Sequence, residues 1–507
     1  MKQTETSNIG IDEILKETTK LLDEVKIDKA ALKQNNVSNI LDEIINNIEP
    51  VDFREYCELK GDTAKLKGKH FLVSVVEILL KTTNENGFSL CRKDGMIYLF
   101  NSEYWENINQ EKFKDFLGKV ALKMGVDKFD AKLHLFKQEL LKQFISDGGL
   151  EEIKATYGTT LINLSNGTFE ITPEKQYLRE FKKNDFITYQ LPFVYDSTAS
   201  APVFKGFLDK VLPEPELQDI LAEYLGYIFV RNNVLKLEKV LLLYGTGANG
   251  KSVLFEVIMA LLGSQNVTNY SLQSLTAENG YSRAMLSNKL LNYASEINGK
   301  LEANIFKLLI SGEPVEARLP YGNPHLITDY ARFMFNCNEL PREIENTNAF
   351  FRRFIILPFR VTIPPNEQDK TLAKRIIDNE LSGVFNWVLD GLTRLFQQEG
   401  FTESNIVKHE VIQYQKESDS VLMFLDDETY QCSIVSDKSL KEVYYEYRAY
   451  CSDGGYRCCS NRTFSKRLKK AGFTIERKNY GMAVYIEKTP ISVESVSNVA
   501  SKTTKLF

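Results

Sequence analysis

The stretch Lys239–Ser252 reads KVLLLYGTGANGKS, and it decides the fold of the central part of the chain. Its last eight residues, Gly245–Ser252, match the phosphate-binding pattern G-x-x-x-x-G-K-[ST]. The apolar run before them predicts a buried strand, and Val253–Leu262 predicts a helix that ends at Gly263. Strand, glycine-rich loop and helix are the context that the pattern requires, so we expect an α/β core that binds a nucleoside triphosphate.

The residue types in this loop suit a phosphate ligand. Glycines leave room for backbone N–H groups to surround phosphate oxygens, and the helix N-terminus adds partial positive charge. Lys251 can reach the β- and γ-phosphates, and the Ser252 hydroxyl can ligate Mg²⁺. ATP and Mg²⁺ are therefore the expected cofactors. The expected nucleotide-binding residues are Gly245, Thr246, Gly247, Ala248, Asn249, Gly250, Lys251 and Ser252.

The composition of the chain argues against a secreted, zinc-binding or membrane-spanning protein. A chain of 507 residues predicts more than one domain, and 43% hydrophobic with 26% charged residues is typical of a globular protein. The net charge of −5 means that DNA contact needs a local basic patch. The seven cysteines form no C-x-x-C pair, and the loose group Cys451, Cys458 and Cys459 has no histidine nearby, which favours reduced thiols over zinc. Without a signal peptide or a transmembrane-length apolar run, we expect a cytoplasmic protein without membrane contact.

Two apolar runs downstream end in polar residues that suit ATP hydrolysis. Lys289–Glu296 predicts a strand after which Glu296 polarises the attacking water and helps Ser252 to hold the metal. Ser295 stands where the usual order has Asp, so the catalytic role of Glu296 is better supported than metal binding. Tyr330–Asn338 predicts another strand, with Asn338 placed to bond the γ-phosphate or its water. The alternative is that both residues are ordinary surface positions after buried strands.

A pair of arginines precedes a further predicted strand. Arg352 and Arg353 lie in the segment Ala349–Phe359, AFFRRFIILPF. An exposed arginine at such a position can reach into a neighbouring subunit's site as a finger that stabilises charge in the transition state. The alternative is plain surface charge.

In this order, the elements resemble a superfamily 3 helicase, and more closely the C-terminal part of phage and plasmid primase-helicases and the related poxvirus primase-helicase. The motifs are GTGANGKS, LLNYASE, KLLISGEPVEAR, FMFNCNELP and FFRRFIILPF. The resemblance covers about residues 150–488. It implies an AAA+-like ATPase that forms a hexamer, with ATP between subunits. The implied catalytic residues are Lys251, Glu296 and Asn338 of one subunit and Arg352 or Arg353 of the next.

The segment Lys307–Arg318 resembles the motif that, in this family, builds a hairpin facing the ring channel. The turn-forming residues Pro320–Pro324 suit its tip. The resemblance makes four residues candidates for contact with the DNA backbone, the alternative being an ordinary surface loop. They are Lys307, Arg318, Tyr321 and His325.

The C-terminal part has the pattern of a winged-helix DNA-binding domain. Lys438–Cys451 and Asn461–Ala471 predict two helices, and Phe473–Ile486 predicts a two-stranded wing. Seven basic residues and one acid lie between positions 460 and 480, which favours phosphate contact over a solvated or protein-docking face. The expected DNA contacts are Arg462, Lys466, Arg467, Lys469 and Lys470.

The predicted organisation has six parts along the chain. They are a helical, partly disordered leader (1–50), an accessory α+β region of unknown role (51–140), a helical domain preceding the ATPase (141–235), the ATPase domain (236–400), the winged-helix domain (415–488) and a disordered tail (489–507). No paired metal-binding acids lie on a predicted strand in residues 1–140, so we expect a helicase without its own primase domain.

These features predict an ATP-driven, ring-forming DNA helicase. It would act on single-stranded or forked DNA in the replication of a phage, plasmid or integrated element, in a bacterial host's cytoplasm and with a separate primase as a partner. Two alternatives stay open. Ser295 favours an origin- or DNA-binding switch that uses ATP only to assemble, whereas a P-loop phosphotransferase is disfavoured by the basic C-terminal unit.

Overall fold

The computed structural model describes residues 36–60, 65–93, 96–148, 159–172, 174–295, 301–319, 322–341 and 347–489. The chain divides into two compact units, residues 1–196 and 197–507. The division falls inside the predicted domain 141–235, since the sheet formed by the strands between positions 160 and 179 belongs to the first unit. Among the described residues, no helix is both long and apolar enough to cross a bilayer.

The first unit combines helices with two antiparallel sheets, of strand order β1-β2-β3 and β4-β5-β6. Its helices are α1 (Asn36–Asn46), α2 (Phe53–Tyr56), α3 (Gly68–Glu85), α4 (Gln110–Met124), α5 (Lys128–Lys132) and α6 (His134–Asp147). Its strands are β1 (Ser89–Lys93), β2 (Met96–Phe100), β3 (Trp105–Ile108), β4 (Thr160–Leu164), β5 (Gly167–Ile171) and β6 (Gln176–Arg179).

Helix α1 is part of the core of this unit. Ile40 and Ile44 are buried in one apolar cluster with Val75 of α3, Phe113 of α4 and Phe144 of α6. The sequence pattern assigns positions 36–50 to the leader, whereas the structure packs this stretch against α4. The physical reason is the helical spacing of its isoleucines, which supplies a continuous apolar face.

The second unit contains a parallel sheet of order β13-β7-β12-β9-β8, a hairpin β10-β11 and an antiparallel sheet of order β14-β16-β15. Its helices are α7 (Pro202–Val211), α8 (Pro215–Tyr227), α9 (Lys251–Leu262), α10 (Leu272–Thr276), α11 (Tyr281–Ala284), α12 (Ala303–Ile310), α13 (Asn348–Phe351), α14 (Leu372–Gln398), α15 (Asn405–Glu417), α16 (Ser420–Asp427), α17 (Leu440–Asp453) and α18 (Asn461–Lys470). Its strands are β7 (Val240–Tyr244), β8 (Val267–Thr268), β9 (Leu291–Ala294), β10 (Val315–Ala317), β11 (His325–Ile327), β12 (Arg332–Cys337), β13 (Phe354–Pro358), β14 (Tyr430–Ser439), β15 (Ile475–Lys478) and β16 (Gly481–Lys488).

Strand β7 is buried between two parallel neighbours. Leu241 pairs in register with Met334 of β12 and with Ile355 of β13. The strands are continuous apolar runs because helices cover a parallel sheet on both faces. Their carboxyl ends therefore share one edge of the sheet, which is where ligands bind in open α/β sheets.

Two long helices pack closely beside this sheet. A Cβ atom at Gly391 of α14 would lie 2.4 Å from the carbonyl carbon of Ala222 in α8. The wholly buried carboxylate of Glu223 accepts hydrogen bonds from Arg394 (2.6 Å) and from the Thr402 backbone (2.8 Å). Glycine at this crossing lets the two backbones approach, and the ion pair satisfies the charge that the approach buries.

The C-terminal sheet and helices α16 to α18 share a separate apolar cluster. It includes Val443 and Tyr447 of α17, Phe464 of α18 and Val484 of β16. The chain order is helix, strand, helix, helix and a two-stranded hairpin, and β16 lies between β14 and β15.

Candidate nucleotide site and DNA-facing elements

The glycine-rich loop joins the carboxyl end of β7 to the N-terminus of α9. Helix α9 begins at Lys251, two residues before the sequence pattern predicts, because Gly250 adopts φ 86° as its N-cap. A Cβ atom at Gly250 would lie 2.7 Å from Cγ1 of Val211. Both the left-handed backbone and this close approach require glycine there.

The Lys251 side chain is folded back over its own loop. Its ammonium donates hydrogen bonds to the carbonyls of Gly245 (2.6 Å) and Thr246 (3.1 Å) and to Oδ1 of Asn249 (3.0 Å). Burial lowers the pKa of this ammonium below its usual value. Asn249 is itself buried and donates to the Phe359 carbonyl (3.1 Å), so its amide ties the lysine and the loop to the end of β13.

The loop has the free donors that a polyphosphate requires. None of the described residues accepts a hydrogen bond from the backbone N–H groups of residues 246–250. Gly247 has open space where a Cβ atom would stand, and Ser252 is exposed in the first turn of α9. Free amides, an ammonium and a hydroxyl at a helix N-terminus fit a triphosphate with its metal ion.

Polar residues lie beside the loop at the same edge of the sheet. The Gly245 N–H donates to the Cys337 carbonyl at the end of β12 (3.1 Å). The exposed Asn338 follows Cys337 directly, which brings it beside the first residue of the loop. Ser295 is exposed at the end of the neighbouring β9. Glu296 lies outside the described residues.

A buried polar pair behind this edge was not predicted from the sequence. The Tyr293 hydroxyl on β9 donates to Oδ1 of Asn336 on β12 (2.8 Å), and the Tyr293 ring packs edge-on against Phe255 of α9. Burial raises the pKa of Tyr293, so it stays a neutral donor. The pair connects two strands with the helix that carries Lys251. Its sequence signal, a tyrosine and an asparagine inside apolar runs, is too common to single it out.

The structure does not bring the two arginines to the loop of their own subunit. The Val240 N–H, at the start of β7, donates to the Arg353 carbonyl, so the pair lies at the opposite edge of the sheet. Arg353 is buried, donates to Ser311 Oγ (2.9 Å) and pairs with Glu238 (3.6 Å). Arg352 pairs with the same Glu238 (3.1 Å), but its side chain is 64% exposed. Glu238 and Ser311 have no distinguishing sequence pattern.

The hairpin that was predicted to face DNA forms between positions 315 and 327. Ala317 pairs with the exposed His325, while Tyr321 lies outside the described residues. Arg318 donates to the Tyr281 hydroxyl (3.0 Å) and lies over its ring. Lys307 is half-buried on α12, away from the two hairpin strands in sequence. Among the described candidates, Arg318 directly follows β10 and His325 lies on β11. Helix α12, which carries Lys307, packs against β10.

Helix α18 presents most of its basic residues to solvent. Arg462, Lys466, Lys469 and Lys470 are exposed, while Phe464 and Leu468 face the core. Arg467 instead donates to the buried carboxylate of Asp419 (2.8 Å), which also caps α16. The structure thus gives Arg467 a contact inside its own domain that the spacing of basic residues did not indicate.

The seven cysteines form no disulfide bonds with one another. All seven are free thiols, and the described residues contain no group of His, Cys, Asp and Glu side chains that could hold a metal ion. Burial raises the pKa of Cys337, at the end of β12, to about 12.

Comparison with known protein families gives three matches in order along the chain. A family described as "D5 N terminal like" matches residues 76–213. A family of unknown function (DUF5906) matches residues 243–353, which contain the loop, and a family described as "Poxvirus D5 protein-like" matches residues 416–498.

The individual proteins that resemble this chain have low sequence identity to it. A protein of Acanthamoeba polyphaga mimivirus named "Putative helicase L207/L206" is 22% identical over 378 residues, which is 67% of this chain. The chain spans only 38% of the length of that relative. Two apo structures of the NrS-1 C-terminal region are 13% and 12% identical, cover 82% and 83% of this chain and 99% of their own, and have TM-scores of 0.45, too low to establish a common fold. With the two D5-type matches flanking the nucleotide loop, the chain is related to the phage and viral primase-helicases.

Proposed function

We propose that this protein is an ATP-dependent DNA helicase that works as a ring, by resemblance a hexamer, in the replication of a viral or mobile element. The observation that carries the proposal is the loop at the carboxyl edge of the parallel sheet, with N–H groups that no described residue accepts and the buried ammonium of Lys251. The mimivirus relative, named as a helicase, supports the same activity. A superfamily 3 ATPase core, a winged-helix domain, the lack of a primase domain, a separate primase partner and a bacterial host all stay predictions.

The residues at the loop have separate tasks in this proposal. When bound, ATP with Mg²⁺ supplies the phosphoanhydride bond and the charge that the metal partly neutralises. Lys251 exchanges the carbonyls of Gly245 and Thr246 for phosphate oxygens, so its existing contacts hold it at the correct place beforehand. Ser252 supplies a metal-ligating hydroxyl. Asn338 orients the attacking water, and Glu296 accepts its proton.

The neighbouring subunit completes the site. Arg352 is the better candidate for the finger, because its guanidinium is largely exposed whereas that of Arg353 is buried among internal partners. The hairpin with Arg318, Tyr321 and His325, helped by Lys307, contacts the strand that is moved. The C-terminal unit holds DNA through the exposed basic residues of α18.

Steady-state ATP hydrolysis with and without single-stranded DNA tests this function in the wild type and in Lys251→Ala. We expect DNA to stimulate the wild type and the substitution to lower turnover by about 100-fold or more, because a donor to the developing phosphate charge is lost. Lys205→Ala is the matched control, since this exposed lysine on α7 lies outside the site. Thermal unfolding of each variant checks that the fold is retained.

Hydrolysis that ignores DNA would instead support a phosphotransferase. ATP binding without turnover at concentrations where rings form would support the second candidate, an assembly switch. The specific observation in favour of that candidate is Ser295, an exposed hydroxyl at the end of β9 where the usual acid would ligate the metal.

A further inference from the structure

The first unit exposes an apolar patch on three consecutive helices. We define the leucine patch as Leu122 of α4, Phe129 of α5, and Leu133 and Leu135 around the start of α6. Phe129 is 82% exposed and Leu135 is 58% exposed, which is unusual for side chains of this size. Contiguous exposed apolar surface of this kind marks interaction sites.

The members of the leucine patch lie close together. The Leu133 N–H donates to the Phe129 carbonyl, so these two side chains are one helical turn apart. A Cβ atom at Gly118 would lie 3.0 Å from the Ala131 carbonyl, so α5 crosses α4 one turn before Leu122. Helix α5 also packs against α6, which begins beside Leu135.

Lysines surround this patch. Five lysines and two aspartates lie between positions 119 and 137, in a chain with a net negative charge. Lys123, Lys128 and Lys132 are exposed, and Asp127 is engaged as the N-cap of α5. Three of the four apolar members are aliphatic, which suits the apolar face of a helix better than the flat rings of bases. The surface therefore fits an acidic, amphipathic segment.

The chain itself contains such a segment. Residues 1–25 hold six acids and three lysines. Between positions 11 and 25, apolar residues recur at helical spacing: Ile11, Ile14, Leu15, Leu21, Leu22 and Val25. This segment precedes α1, which packs against α4, the helix that carries Leu122. The ten residues between Val25 and Asn36 give 11 steps from one Cα atom to the next, which span at most about 36 Å when extended, more than the radius of a unit of this size.

We infer that residues 11–25 dock on the leucine patch of the first unit, with their carboxylates facing Lys123, Lys128 and Lys132. Tethering supports the interaction, because a short linker gives an effective concentration in the millimolar range, and even weak contacts are then occupied. The patch is thereby covered in the intact chain. The inference stands apart from the proposed ATPase, since none of these residues belongs to that site.

Carbodiimide cross-linking of the full chain, read by mass spectrometry, tests the docking. The reagent joins carboxylates to lysines in direct contact. We expect links from Asp12, Glu13, Glu17, Asp23 or Glu24 to Lys123, Lys128 or Lys132. Their yield should fall at least fivefold in the double variant Phe129→Ser and Leu133→Ser. Val194→Ser is the matched control, an exposed apolar residue of the same unit outside the patch.

Because the substituted side chains are exposed, thermal unfolding should not change, and loss of the fold can be separated from loss of docking. Absence of these links, or an equal yield in the double variant, would overturn the inference. An equimolar mixture of ¹⁵N-labelled and unlabelled chain gives a further check: mixed-label links in the proportion that random pairing of copies gives would assign the patch to a second copy. If an oligo-dT strand protected the patch lysines from cross-linking, and this protection were lost in Phe129→Ser, the leucine patch would be assigned to nucleic-acid binding.

Discussion

At the scale of single residues, the two adjacent arginines in the turn between α13 and β13 have different surroundings. The Arg352 side chain is 64% exposed and meets one partner, Glu238. Arg353 is 8% exposed and is bonded to Ser311 and to the Ala349 carbonyl. In the proposed ring, only the exposed guanidinium is accessible to another subunit, whereas the buried one holds the start of β13 in place.

The variant Arg352→Ala should therefore affect ATP turnover, whereas Arg353→Ala should affect stability. We expect Arg353→Ala to lower the free energy of unfolding by about 3 kcal/mol, because it leaves buried partners without their donor. Arg352→Ala should change it by less than about 0.5 kcal/mol and lower ATP turnover by about 10³-fold. Urea unfolding and steady-state hydrolysis measure the two effects. The reverse pattern would make Arg353 the finger.

Sequence reasoning could not separate these arginines. Both are the same residue type in the same motif, and their burial depends on Ser311 and Glu238, which are 42 and 115 positions away from Arg353. The same holds for Arg467, whose partner Asp419 is 48 positions distant. The residue types show which side chains are charged, but long-range packing decides which of those charges form ion pairs or hydrogen bonds inside the protein.

At the scale of elements, strands and helices near the loop follow directly from local patterns. The predicted strand before Gly245, the helix after it and the basic helix at 461–471 all appear, as β7, α9 and α18. The short strands β3, β6 and β8 and the polar strand β14 are among those that were not predicted, because short or polar strands lack a clear alternation of apolar residues. The close crossing of α8 and α14 also escapes prediction, since glycine inside a helix usually indicates weakness rather than contact.

That crossing gives a stability prediction. Alanine is a better helix former than glycine by about 1 kcal/mol. Gly391→Ala should nevertheless lower the free energy of unfolding by about 2 kcal/mol, because its Cβ would lie 2.4 Å from the Ala222 backbone. Gly206→Ala in α7 is the matched control: nothing lies within 4 Å of its Cβ position, so we expect a gain of about 0.5 kcal/mol. Denaturant unfolding measures both, and a gain at Gly391 would refute the tight crossing.

Helix α18 gives a binding prediction. The double variant Lys466→Glu and Lys469→Glu should weaken DNA binding by at least tenfold and flatten the dependence of affinity on salt, because about 0.9 counterions are released for each phosphate contact. Lys441→Glu on the neighbouring α17 is the control. Arg467→Ala should act chiefly on stability, with a loss of about 2 kcal/mol, since the buried Asp419 carboxylate loses its partner. Fluorescence anisotropy at several salt concentrations and thermal unfolding separate these effects.

At the scale of the whole molecule, the sheet separates the glycine-rich loop from Arg352, which the proposed ATPase combines in one site. The loop follows the end of β7, whereas Arg352 precedes β13, which pairs with β7 in parallel from Val240 to Tyr244. A strand of five residues is about 17 Å long. One subunit therefore cannot apply its own Arg352 to its own loop, which favours a site shared between subunits.

A shared site predicts complementation. Lys251→Ala and Arg352→Ala should each be nearly inactive alone, while an equimolar mixture should regain measurable ATP hydrolysis, because some interfaces then combine an intact loop with an intact finger. The specific activity of the wild type should also rise with protein concentration. Analytical ultracentrifugation relates that rise to assembly. A mixture no more active than its components would argue for a site within one chain.

Strand β13 also has a mechanical consequence. At one end the Asn249 amide is bonded to the Phe359 carbonyl, and at the other the chain holds Arg352 at the surface. Between them, every residue from Phe354 to Pro358 is in register with β7, so the strand has little room to stretch or bend. A strand held in this way moves as a rigid element, so that a displacement at one end is transmitted to the other. In the proposed ring, a movement of the loop on binding or releasing its ligand would reach the far end of β13 as a shift of Arg352, and one subunit would thereby signal its state to the next.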